Sequence, residues 1–197
     1  VDVEKCFDRI PVDRLLVFVE QLVNKPKYHI FRYDAVNLMS GGEMVKRYFR
    51  KAAPSGILPS GDYNKSGIFI DRCQSSAPVD RATVINSIKE AILNVRVHHD
   101  GIMYAFKTGI PQGSALSSIL CSLFYADLDR RRLAKWVKED NILMMRYIDD
   151  MVILSPEKSK VDEILKVLSN GFPDYGFSVN HKKTIISSPN EPFPWCG

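Results

Sequence analysis

Apolar positions in this chain recur at two spacings, and the switches between them outline the elements. Leu15, Val19, Leu22 and Val23 fall at i, i+4, i+7 and i+8, one stripe of a helix that Pro26 helps to end. "YHIFRYDAVNLM" (28–39) reads as a strand. "GGEMVKRYFRKAA" (41–53) reads as a short basic amphipathic helix with Met44, Val45, Tyr48 and Phe49 on one side. Residues 54–67 are rich in Pro, Gly and Ser and predict a loop. Ile85, Ile88, Ile92 and Val95 predict a helix over 82–97, followed by a strand with a turn at 101–110.

From Pro111 a turn leads into a long helix, then a hairpin, "NILMMRYIDDMVILS" (141–155). A helix over 159–171 follows. Ser159 and Asp162 suggest a capping box, Val161, Ile164, Leu165 and Leu168 form the stripe, and Gly171 ends it. "FSVNHKKTIIS" (177–187) predicts a last strand. The opening "VDVEKCFDRI" predicts a short strand running into a helix. The order is strand, helix, inserted middle, helix, paired strands, helix, strand. It predicts an α+β fold of the split βαβ, ferredoxin-like kind, an antiparallel sheet with helices on one face. In such a sheet the first strand lies beside the hairpin, which brings Asp2 next to Asp149.

Composition narrows the class. The 197 residues are 45% hydrophobic, enough for one domain with a core, and the net charge of +4 is compatible with nucleic acid. Cys6, Cys73, Cys121 and Cys196 form no CxxC pair, which weakens a zinc reading and predicts reduced thiols. No apolar run approaches the ~18 residues of a membrane span. The chain opens on Val1 within a strand pattern and ends without a cap, so it reads as an interior piece of a longer protein.

The chemistry centres on Asp149 and Asp150, set between "ILMM" and "MVIL". Taken alone, "IDD" is also an ordinary hairpin turn. Three clustered carboxylates repel one another unless cations lie between them, and an oxygen-only donor set favours Mg²⁺ or Mn²⁺. Two such ions ~3.5–4 Å apart serve in-line phosphoryl transfer. In "GIPQGS", Gly113 permits close backbone approach of a ligand, and Gln112 with the following helix N-terminus suits a nucleotide or template base. His98 and His99 lack a metal partner in the pattern and read as surface residues. "DRRRLAKWVK" (129–138) and "KRYFRK" (46–51) are basic and aromatic. The first reads equally as an exposed helix face, and the second favours a nucleic-acid contact.

"VDVEKCFDRIP", "GIPQGSALSSILCSLFYADLD", "RYIDDMVILS", "DYGFSVNHKKT" and "FPWCG" occur in the order of reverse-transcriptase palm motifs. The set most resembles the telomerase reverse transcriptase catalytic subunit, through "LCSLFYADLD" after "PQGS" and the "WCG" ending. The resemblance spans essentially the whole chain. It implies a palm domain over 1–197, with 32–95 as a telomerase-type insertion in the fingers region. It implies an RNA-directed DNA polymerase using two Mg²⁺ ions, with Mn²⁺ as a substitute. The implied partners are a telomerase RNA template, telomeric single-stranded DNA, deoxynucleoside triphosphates and other domains of the same longer chain, in the nucleus at telomeres.

By the same resemblance, Asp2, Asp149 and Asp150 are the catalytic metal ligands, joined by the Val3 carbonyl. Phe7 is the gate against a ribose 2′-hydroxyl. Gln112, Gly113, Ile148 and Lys183 meet the nucleotide, and Trp195, Cys196 and Gly197 form the primer grip. Tyr147 departs from the telomerase pattern, since "YIDD" is closer to a retroelement tetrad. A retroelement or intron-type reverse transcriptase is therefore the alternative, and a non-catalytic palm-like binding module the third reading. Residues 1–197 alone are expected to polymerise nothing, because much of the fingers and the thumb lie outside such a segment.

Overall fold

The computed structural model describes residues 1–38, 41–54, 67–70, 77–139, 141–188 and 191. In chain order the elements are α1 (Cys6–Arg9), α2 (Val12–Leu22), β1 (Lys27–Leu38), β2 (Met44–Pro54), β3 (Gly67–Ile70) and β4 (Val79–Asp80). They continue with α3 (Arg81–Leu93), β5 (Arg96–His99), β6 (Ile102–Ala105), α4 (Ala115–Arg132), α5 (Ala134–Val137), β7 (Leu143–Tyr147), β8 (Asp150–Leu154) and α6 (Lys158–Ser169). The fold is mixed α/β with small antiparallel sheets. It divides into two compact units, Val1–Val19 with Lys89–Gly197, and Glu20–Ile88.

The second unit is built on the β2-β1-β3 sheet, with β4 also pairing β1. The register runs from Tyr28 opposite Pro54 to Leu38 opposite Met44. Val36, Ala53 and Ile85 are its buried apolar side chains among the described residues. The Arg81 guanidinium caps the end of α2 by donating to the carbonyls of Val23 (2.6 Å) and Glu20 (2.7 Å). The helix expected over 41–53 is instead β2. Tyr48 fits a helical stripe, but Met44, Lys46, Tyr48 and Arg50 alternate equally well with period 2, and all four are exposed. Pairing with β1 along its whole length decides the matter, since strand preference depends on such neighbours more than on local propensity. The expected loop over 54–67 falls almost wholly outside the described residues.

The first unit holds the main core. Leu15 and Val19 of α2, Leu120, Phe124 and Leu128 of α4, Trp136, Ile164 and Leu168 of α6, and Tyr175 are buried together with Phe177. Aromatic rings interlock at its centre: Phe124 meets Tyr175 at 5.1 Å and Phe18 edge-on at 5.9 Å. α4 begins where Ser114 Oγ accepts from the Leu116 amide (3.3 Å), an N-cap. α6 has the expected stripe and Gly171 after its end, but no capping box. Ser159 lies inside the helix, and Glu157 stands at the cap without a side-chain hydrogen bond. Instead Ser155 Oγ accepts from the Glu157 amide, and Lys158 pairs with Asp162 one turn on.

The strand expected over 177–187 is only a bridge. Val179 pairs with Val3, and the Asn180 amide donates to the Asp2 carbonyl at 2.9 Å. Pairing then stops, because Asn180 turns the chain: its side chain accepts from the Lys182 amide and its carbonyl from Lys183 and Thr184. Among the described residues no helix is long and apolar enough to cross a membrane.

Candidate active site

β7 and β8 form a hairpin in which Tyr147 pairs with Asp150, leaving Ile148 and Asp149 as a two-residue turn. Ile148 has φ 55° and Asp149 has no positive φ, the sign pattern of a type II′ turn. That first position normally takes glycine. A β-branched residue there is strained, and such strain concentrates at functional sites.

The N-terminal segment lies against this turn. Asp2 and Asp150 are partners in an antiparallel bridge. The Val3 amide donates to the Asp149 carbonyl (3.1 Å), and the Met151 amide to that of Val1 (2.8 Å). Residues opposite one another in an antiparallel pair present their side chains on the same face, so the Asp2 and Asp150 carboxylates share a face. Burial and the charges of Asp150 and Asp2 push the Asp149 carboxyl upward, against its own backbone amide and the charge of Lys183. Lys183 Nζ lies 3.8 Å from Asp2 Oδ1, the lysine 70% exposed and the aspartate 16%. The acids open on a groove of about 1460 Å³ that runs past Leu143, Tyr147, Leu165 and Ile186.

The donor chemistry suits a hard divalent ion: three neighbouring carboxylates, oxygen only, with the Asp149 carboxyl destabilised in its charged form by burial and then by the other two. Among the described residues no three Asp, Glu, His or Cys side chains close around one point. The fit therefore rests on donor type and backbone placement.

The loop at 109–114 meets α1, which follows the N-terminal segment. Ile110 donates its amide to the Phe7 carbonyl at 2.9 Å. Gly109, at φ 70°, packs on the backbone of Phe7 and Asp8. Phe7 is half-buried on α1, while Gln112 and Gly113 are exposed. Trp195, Cys196 and Gly197 lie outside the described residues. His98 and His99 are exposed on β5, and His99 Nε2 lies 3.4 Å from Asp100. The basic run at the end of α4 is spent on internal acids. Arg130 and Arg131 bind Asp127, Arg132 binds Asp174, and Lys135 binds Glu163.

Two buried groups had no place among the candidate residues. Arg146, on the inner side of β7, grips Asp129 with two nitrogens at 2.7 and 2.6 Å. Asp127 receives Arg130, Arg131 and the Tyr175 hydroxyl. Burial pushes the Asp127 carboxyl up, but those hydrogen bonds prevail and hold it down at about 2. The signal for Arg146 was a charge on the inward phase of an alternating strand.

A family model described as reverse transcriptase (RNA-dependent DNA polymerase) matches residues 71–197. The chain belongs to the reverse transcriptase family. It is 30% identical over 226 residues to the telomerase reverse transcriptase of Rattus norvegicus and 29% over 229 to that of Canis lupus familiaris, each alignment covering 100% of this chain and 20% of the relative. Against that of Euplotes aediculatus it is 23% identical over 227 residues, covering 98% of this chain and 22% of the relative. The chain thus spans about a fifth of the length of the curated relatives it matches.

Proposed function

We propose that the chain is the catalytic palm of a telomerase-type RNA-directed DNA polymerase, which adds deoxynucleotides to the 3′ end of telomeric single-stranded DNA by copying a telomerase RNA template in the nucleus. One observation carries the reading: segments 148 positions apart (150 − 2) meet as the Asp2–Asp150 bridge, with Asp149 on the adjoining turn. Whole-length similarity to telomerase reverse transcriptases supports it over a retroelement enzyme.

Asp2, Asp149, Asp150 and the Val3 carbonyl would hold two Mg²⁺ ions, or Mn²⁺. When bound, such ions stabilise charge on the attacking and leaving oxygens of an in-line transfer. Lys183 brings a flexible positive charge to the triphosphate, and its place near Asp2 suits that task. Gln112 and Gly113 position the incoming nucleotide, and Ile148 packs beside it on the strained turn. Phe7 fills the space a ribose 2′-hydroxyl would need. Trp195, Cys196 and Gly197 grip the primer end. Residues 32–95 would be the insertion of the fingers region, and most of them fall in the compact unit Glu20–Ile88.

Primer extension by the complete polypeptide with its RNA tests the reading. Asp149→Ala abolishes extension if the turn is the catalytic centre, and undiminished extension refutes it. Sequencing the co-purified RNA separates the alternatives: one dedicated short RNA marks telomerase, and the protein's own transcript marks a retroelement.

A further inference from the structure

We propose that Arg146 and Asp129 are positioning residues that hold the Asp149–Asp150 turn in register with the nucleotide loop at 109–114. The inference rests on the catalytic reading of that turn. The Arg146 guanidinium meets both oxygens of Asp129, Nε on Oδ2 and Nη2 on Oδ1, with side chains only 8% and 23% exposed. It lies beside the rings of Tyr125 (5.3 Å) and Phe177 (5.6 Å). Its remaining nitrogen, Nη1, is buried without a hydrogen-bond partner among the described residues. A buried ion pair that leaves a donor unmatched is a poor device for stability alone, because desolvation offsets its Coulomb gain. Its two-pronged geometry is what an arginine supplies and a lysine does not.

The placement explains what that geometry accomplishes. The β7–β8 ladder spans only Leu143–Tyr147 and Asp150–Leu154, and a ribbon this short, joined outside its own ladder by the Asp2–Asp150 bridge, has little stiffness of its own. Arg146 stands three residues before Asp149, on the face turned towards α4, while Leu143, Met145 and Tyr147 point outward. Asp129 sits near the far end of α4, whose first residue follows the Ser114 cap of the 109–114 loop. The helix rises roughly 21 Å between Ala115 and Asp129 at ~1.5 Å per residue. It is therefore a strut, joined at one end to the nucleotide loop and at the other to β7, the strand that runs into the turn of the acids. The arginine does not act as a counter-ion to the turn, because its charge is taken up by Asp129.

The test uses the complete polypeptide with its RNA, as Arg146→Lys, Asp129→Asn and the reference variant Asp149→Asn. Three quantities are measured: steady-state primer extension, Mn²⁺ binding by electron paramagnetic resonance without nucleotide, and the melting temperature. Arg146→Lys is expected to lower kcat by about 10²-fold, the scale of a small misplacement of reacting groups. KM for the nucleotide should stay within about threefold, and Mn²⁺ affinity should fall about 10-fold, as for groups that orient ligands. Asp129→Asn, which keeps shape but loses the charge, should reproduce the pattern if Arg146→Lys does not fold. The inference is overturned by wild-type kcat and Mn²⁺ binding in a folded Arg146→Lys or Asp129→Asn protein. It is equally overturned if activity falls only in step with the folded fraction. A fully active Asp149→Asn would instead remove the catalytic reading itself.

Discussion

Gly109 is pressed against the backbone of Phe7 on α1. A Cβ built on it would stand 2.6 Å from the Asp8 Cα, and the residue has φ 70°. The neighbouring Ile110 amide bonds the Phe7 carbonyl over 2.9 Å. Two motifs about a hundred positions apart therefore meet backbone to backbone, with no room for a side chain. Gly113 has a similar φ, 82°, but nothing lies within 4 Å of its would-be Cβ. Gly109→Ala should therefore cost more than about 2 kcal/mol, from steric displacement added to backbone strain, whereas Gly113→Ala should cost about 1 kcal/mol from strain alone. Urea midpoints of the two variants measure the difference, and equal midpoints would contradict the close packing.

Phe7 rides on that same junction, which fixes where its ring stands. If it guards the sugar position, Phe7→Ala admits ribonucleotides. The expected result is a rise of about tenfold or more in ribonucleotide relative to deoxynucleotide incorporation, equivalent to the ~1.4 kcal/mol of a single steric contact. An unchanged ratio would return Phe7 to a packing role.

What was legible in the sequence, and what was not, follows from the range of the interactions. The hairpin, α4 and the α6 stripe were readable because their periods are local. The meeting of Asp2 with the tandem acids was readable only through the order of elements, since no local pattern links residues 2 and 150. β2 was misread because 44–50 satisfy both periods and the deciding partner, β1, is a tertiary neighbour. The last strand was overextended because Asn180 diverts its backbone into a turn after one bridge. Arg146 left a single mark, a charge on the inward phase of its strand, but nothing periodic links it to Asp129, 17 positions away on a helix.

Acid should loosen the anchor beneath the 173–180 segment. The Asp127 carboxyl is held near 2, below its ordinary 3.8, by Arg130, Arg131 and the Tyr175 hydroxyl once burial is overcome. A group with a depressed folded pKa stabilises the fold fully above its unfolded value and loses that contribution as pH falls through the folded one. The window is thus about pH 4 down to about pH 2, with roughly 2 kcal/mol at stake. Asp127→Asn should lower stability by that order at neutral pH and flatten the acid limb. An acid limb as steep as the parent's would assign the loss to other carboxylates.

Ile148 offers a way to separate folding from function at the turn itself. Its φ of 55° is one that a β-branched residue reaches only under strain of about 1–3 kcal/mol. Glycine relieves that strain but gains freedom in the unfolded chain, and the two effects nearly cancel, to within about 1 kcal/mol. Ile148→Gly should therefore leave the melting temperature almost unchanged. Activity should respond differently, because the glycine turn no longer has one enforced conformation, so Asp149 is held less tightly against Asp2 and Asp150. The expected outcome is a fall in kcat of about tenfold or more at an unaltered melting temperature, consistent with the sensitivity of reacting geometry to small displacements. A variant as active as the parent would show that the strain at Ile148 has no bearing on the alignment of the acids.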